Sequence, residues 1–169
     1  MFKILVADDE KFIRKGIVSI LSGNLREEVE FVEARNGLEA LEKSRTETPG
    51  LIITDISMPG CDGLEFIQRL KEINVNVPVI ILSGYENFEY AKKAIKLGVK
   101  EYVMKPIQKT EFVELIHSYI TDIRQARQRS REEYLKRSEN TRIMEKLKRD
   151  FLLGLLKCTS SEEARNYLI

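Results

Sequence analysis

Five short apolar runs, Lys3–Ala7, Glu30–Ala34, Leu51–Asp55, Val79–Ser83 and Glu101–Met104, punctuate the first two thirds of the chain. Most are near-continuous rather than alternating, the pattern of strands covered on both faces, as in a parallel sheet flanked by helices. Between them, Ile13, Ile17, Ile20 and Leu21 recur at helical spacing, as do Leu64, Ile67, Leu70 and Ile73. Ala91, Ala94 and Ile95 form a further helical stripe that runs into Gly98, a residue able to take the left-handed turn that ends a helix. This alternation predicts five βα units in a doubly wound α/β fold with strand order 2-1-3-4-5.

The ends of those runs carry charge. Asp8 and Asp9 follow the first, Asp55 closes the third and Lys105 follows the fifth. Ligands of an open parallel sheet gather at the carboxyl ends of its strands, so three carboxylates and an ammonium are directed to one crevice. Two like charges ~4 Å apart repel by roughly 4 kcal/mol at an effective dielectric of about 20. A divalent cation offsets that repulsion, and hard oxygen donors suit Mg²⁺, which is held by one or two carboxylates plus waters and phosphate oxygens. Asp55 then reads as a nucleophile and Lys105 as the counter-charge for a phosphoryl group. Any one of these acids alone reads as a solvated loop residue; their placement at three strand ends makes them a site.

Four motifs extend this reading: VADDE at 6–10, DISMPGCDGLEF at 55–66, ILSGYEN at 81–87 and YVMKP at 102–106. In this order and spacing they resemble the receiver domain of two-component response regulators over residues 1–123. The resemblance implies a flavodoxin-like receiver fold in which Asp55 is the phosphoacceptor. It also implies Mg²⁺ bound directly by Asp9, the Asp55 carboxylate and the Ser57 backbone carbonyl, with Asp8 acting through a metal-bound water. Ser83 would hydrogen-bond the phosphoryl group, Lys105 would pair with it, Tyr102 would be the aromatic switch residue, and Pro106 would follow a cis peptide. The implied partner is a sensor histidine kinase. Cys61 stands where the family often has Met, at a position that lines no chemistry.

Composition restricts the alternatives. The formal net charge of +1 argues against nucleic acid or membrane as a partner of the whole chain. Cys61 and Cys158 fit no metal-ligand spacing and read as reduced thiols of a cytoplasmic protein. The longest apolar runs, such as VIIL and FLLGLL, are far too short to span a bilayer. His117, the single histidine, reads as a packing or surface residue on a helix. An Asp-nucleophile phosphohydrolase places its nucleophile after the first strand in a D-x-D pattern, whereas here that strand ends in Asp8-Asp9-Glu10. An FMN-binding module needs a hydroxyl-rich loop where this chain has DDEKF.

A fifth helix is expected to start near Thr110, with Thr110 as its cap and Phe112, Leu115, Ile116, Tyr119, Ile120 and Ile123 on the sheet. Composition then shifts. Asp122 to Asp150 holds ten Lys or Arg against six Asp or Glu, and neither Pro nor Gly intervenes before Gly154, which predicts one long solvated helical extension over 124–169. Ile143, Leu147, Phe151 and Leu155 make a late apolar stripe, and Ser160-Ser161 before Glu162-Glu163 marks the start of another helix. KRDFLLGLL at 148–156 and SSEEARNYL at 160–168 resemble the linker of regulators with an AraC-type DNA-binding domain. The resemblance implies a transcriptional output, with DNA contacted only through a domain absent from these residues. The stripe, or the face of the fourth helix, fifth strand and fifth helix, predicts a homodimer.

Overall fold

The computed structural model describes residues 1–26, 28–84 and 88–160, with side chains as far as Leu153. The elements are β1 (Phe2–Ala7), α1 (Lys11–Ser22), β2 (Val29–Ala34), α2 (Gly37–Thr46), β3 (Leu51–Asp55), α3 (Gly63–Glu72), β4 (Val79–Ser83), α4 (Phe88–Lys96), β5 (Glu101–Met104) and α5 (Lys109–Ser160). All strand pairs are parallel, in the order β2-β1-β3-β4-β5 that the alternation predicts.

Because successive side chains of a strand point to opposite faces, a run that is apolar throughout feeds two cores. Leu5, Ala7, Ile52 and Ile81 enter a cluster with Phe66, Ile67 and Leu70 of α3. Ile4, Val6, Ile53, Ile80 and Leu82 enter a second cluster with Ile17 and Leu21 of α1 and Phe112, Ile116 and Ile120 of α5. Complete burial of a side chain such as Phe66 contributes roughly 2–3 kcal/mol, so the two layers hold the sheet from both sides.

Local signals place the helix ends. Asn36 and Asp62 accept hydrogen bonds from the Glu39 and Glu65 amides at 2.9 and 2.7 Å, capping α2 and α3. Gly98 takes φ +65° after α4, and the Val99 amide reaches back to the Ala94 carbonyl at 3.2 Å, satisfying an end group the helix leaves open.

Three expectations need correction. The Gln108 carbonyl accepts the Phe112 amide at 2.9 Å, so α5 begins at Lys109 and Thr110 lies inside its first turn rather than capping it. Ile95, expected on the buried stripe of α4, is 75% exposed; Ala94 and the partly buried Leu97 supply the contact instead. β1 and β2 each begin one residue earlier than their apolar runs, at Phe2 and Val29. The further helix expected from Ser160 meets α5 at that residue, and its remainder lies outside the described residues.

The chain divides into two compact units, Met1–Ile123 and a second beginning at Arg124. Within the second, every side chain from Arg124 to Leu153 is exposed, including Ile143, Leu147 and Phe151. Among the described residues, no helix is long and apolar enough to cross a membrane.

Candidate functional site

Strand register brings the charged residues together. Ala7 pairs with Thr54, so the next residues, Asp8 and Asp55, emerge side by side from β1 and β3. Ser83 pairs with Met104, so Lys105 leaves β5 level with the end of β4, and its amide donates to the Ser83 carbonyl at 2.7 Å. Neighbouring strands lie about 4.8 Å apart, and the long lysine side chain reaches back across β4. Its Nζ donates to Asp55 Oδ1 at 2.7 Å and to Asp8 Oδ2 at 2.9 Å. The Lys105–Pro106 peptide is cis.

Both carboxylates are buried, Asp8 completely and Asp55 to 7% exposure. Asp55 Oδ2 accepts the Ser57 amide at 2.7 Å, and Asp8 Oδ1 accepts the Glu10 amide at 2.8 Å. Burial pushes the Asp55 carboxyl above the ordinary aspartate range; Lys105 and the Ser57 amide oppose the shift, while the Asp8 charge adds to it. Burial also works against the Lys105 ammonium, but its hydrogen bonds to Asp55 and Asp8 outweigh it and hold the pKa above the ordinary lysine value.

Asp9 is exposed beside this pair, and Ser57 is exposed just beyond Asp55. Ser83 is buried at the end of β4, and Tyr102 of β5 is half-buried against the core layer that contains α3. Tyr85, Glu86 and Asn87 of the third motif lie outside the described residues. Among those described, no three His, Cys, Asp or Glu side chains converge as a ready-made metal cage. The donor set, two buried carboxylates with an exposed third beside them, nevertheless fits a hard cation that keeps much of its water shell.

Three residues that shape this site carry no signal in the motifs. A Cβ on Gly63 would overlap the Asp55 carbonyl oxygen, so only glycine lets α3 start so close to the end of β3. Thr54, fully buried, donates its hydroxyl to that same carbonyl at 2.9 Å. Arg14 of α1 donates to the Asp8 and Asp9 carbonyls at 2.7 and 3.3 Å. The glycine of the C-D-G triplet is visible in the sequence, but its contact is not. Cys61 is buried, free and packed against Gly37, away from the charged cluster.

Residues 4–117 match the response regulator receiver domain. The chain belongs to that family. It is 40% identical over 124 residues to the uncharacterized transcriptional regulatory protein YesN of Bacillus subtilis, covering 73% of this chain and 34% of YesN. It is 37% identical over 107 residues to the transcriptional regulatory protein HptR of Staphylococcus aureus, covering 63% of this chain and 42% of HptR. The receiver domain of AraT, a response regulator from Geobacillus stearothermophilus, superposes with a TM-score of 0.66 at 34% identity, covering 75% of this chain and 98% of that one. The chain thus spans between about a third and less than half of the curated relatives it matches.

Proposed function

We propose that this receiver domain accepts a phosphoryl group on Asp55 from the phosphohistidine of a sensor kinase in the cytoplasm. The observation that carries the reading is the buried Asp55 carboxylate sharing Lys105 with Asp8 at the carboxyl edge of the sheet. Phosphoryl transfer has a loose transition state with charge spread over the equatorial oxygens, so catalysis is positioning and electrostatic stabilisation. The ionised Asp55 oxygen is the nucleophile, and Lys105, already within 2.7 Å, stays beside the incoming group as its counter-charge. Asp9, Asp55 and the Ser57 carbonyl would hold Mg²⁺, with Asp8 reaching it through water; when bound, Mg²⁺ supplies further positive charge to the phosphoryl oxygens. Ser83 would hydrogen-bond the transferred group, and the vacated space would let Tyr102 turn inward, biasing the face made by α4, β5 and α5. The domain is a switch rather than an enzyme acting on a separate substrate, although it assists its own phosphorylation and slow dephosphorylation.

Incubation with Mg²⁺ and acetyl phosphate should raise the intact mass by one phosphoryl group, and Asp55→Asn should abolish the increase. Equal labelling of the mutant would overturn the assignment.

Residues 1–123 form the receiver in this reading, and 124–169 are a helical linker toward an output domain that binds DNA and controls transcription. The relatives' names as transcriptional regulators support this output. Ile143, Leu147 and Phe151, each at least half exposed and spaced four apart on one helix, are an apolar stripe that a second copy of the chain can bury. Light scattering should therefore give a dimer for residues 1–169 and a monomer for residues 1–123. Equal monomeric masses would remove the stripe from assembly.

A further inference from the structure

We propose that Arg14 is a positioning residue for the cation site, holding the Asp8-Asp9 backbone so that the Asp9 carboxylate faces the ion. This rests on the cation-site reading above. One guanidinium nitrogen, Nη1, donates to two consecutive carbonyls, Asp8 at 2.7 Å and Asp9 at 3.3 Å. Each peptide group is a rigid plane, so fixing two successive carbonyls fixes the direction in which the Asp9 side chain leaves the main chain. Asp9 needs that help, since it is exposed and follows the last residue of β1 by two positions, where the sheet no longer orients it. The residue before it is already held, its amide donating to the Ala34 carbonyl at 3.1 Å and its Oδ1 accepting the Glu10 amide.

The guanidinium is itself anchored. Its side chain is only 12% exposed, and Nε lies 3.4 Å from Glu33 Oε2 on β2. Hydrogen bonding from Lys15, with smaller contributions from Arg14, keeps the Glu33 carboxyl below the ordinary range, so the anchor stays ionised. Arginine suits the task because its planar fork can serve the carbonyls on one side and a carboxylate on another; a lysine ammonium is a single point on a flexible stem.

The expected effect is opposite in sign to that of simple electrostatics. Arg14 places a positive charge next to a cation site, and deleting that charge alone should tighten Mg²⁺ binding. Loss of positioning should weaken it. With Mg²⁺ titrated calorimetrically into the full chain, Arg14→Met is expected to raise Kd about tenfold, the usual scale for removing a group that orients a metal ligand. Arg14→Lys, which keeps the charge and can reach one carbonyl, should fall between the two. Lys15→Met removes a neighbouring charge from the same Glu33 carboxylate without touching either carbonyl, and should leave Kd within about twofold of the parent, the size expected of an exposed pair.

An Arg14→Met protein that binds Mg²⁺ as tightly as the parent, or more tightly, overturns the proposal, and so does an equal loss in Lys15→Met. If Arg14→Met does not fold, Arg14→Lys decides, and a Kd equal to the parent's overturns it. A parent chain that takes up no Mg²⁺ removes the cation-site reading and this inference together, whereas a binding parent with unaffected variants removes Arg14 alone.

Discussion

Gly63→Ala is expected to destabilise the receiver domain by roughly 3 kcal/mol, at the upper end of what overpacking costs. The added methyl would overlap the Asp55 carbonyl oxygen and lie 3.1 Å from its carbon and 3.1 Å from Ile56 Cα. All three obstacles are backbone atoms, which cannot rotate aside as a side-chain tip can. Moving α3 away would strain the hydrogen bond from the Gly63 amide to the Ile56 carbonyl, now 2.9 Å, and would shift Asp55, the proposed phosphoacceptor. Gly16→Ala makes the opposite control. Gly16 sits inside α1 with nothing beyond the helix's own backbone within 4 Å of the place a methyl would take. There the substitution should stabilise the fold by roughly 0.5–1 kcal/mol, because alanine loses less backbone entropy than glycine on entering a helix. Urea denaturation of the two variants would test the pair, and a loss below about 1 kcal/mol for Gly63→Ala, less than overpacking normally costs, would contradict the close approach.

Lys105→Met should slow phosphorylation of Asp55 by acetyl phosphate by about 10²- to 10³-fold, the loss typical when one preorganised donor to a developing charge is removed. It should also destabilise the unphosphorylated fold, since Asp8 and Asp55 would then face each other in a buried site without their shared cation. Breaking a fully buried pair costs about 3–5 kcal/mol. With the lysine side chain 22% exposed, roughly 2 kcal/mol is expected here. The pH dependence follows from the raised Lys105 pKa: its stabilisation is fully present below the unfolded-state lysine value and is lost as pH rises through the higher folded value. The difference between parent and variant should therefore persist across neutral pH and disappear in strong alkali, and it should also shrink in acid, where protonation of Asp55, whose carboxyl is already pushed upward by burial, removes the lysine's partner. Labelling of Lys105→Met at the parental rate would separate the ammonium from the chemistry.

The outline of the fold was legible in the chain because its causes are local. Runs such as VIILS and LIITD have to be strands covered on both faces, and the acids that follow them have to emerge at one edge once the strands are parallel. That Asp8, Asp55 and Lys105 share an edge follows from strand direction alone. Other features depend on how closely separate segments approach, and periodicity carries no information about that. Nothing in the triplet Cys61-Asp62-Gly63 shows that a carbonyl eight residues earlier occupies the space of a methyl group. Nor does the α1 sequence show that Arg14 turns toward two carbonyls rather than to solvent. Ile95 has the spacing of a core residue yet lies open, because the helical period selects a face while packing against the sheet selects how much of it is covered. Thr110 has the chemistry of a cap, but the first hydrogen bond of α5 starts from the Gln108 carbonyl and ends on the amide of Phe112, the first buried residue after the Lys105–Pro106 turn. Residue type and order set the elements and the edge on which chemistry gathers; contact distances between segments far apart in the chain set which neighbours hold that chemistry in place.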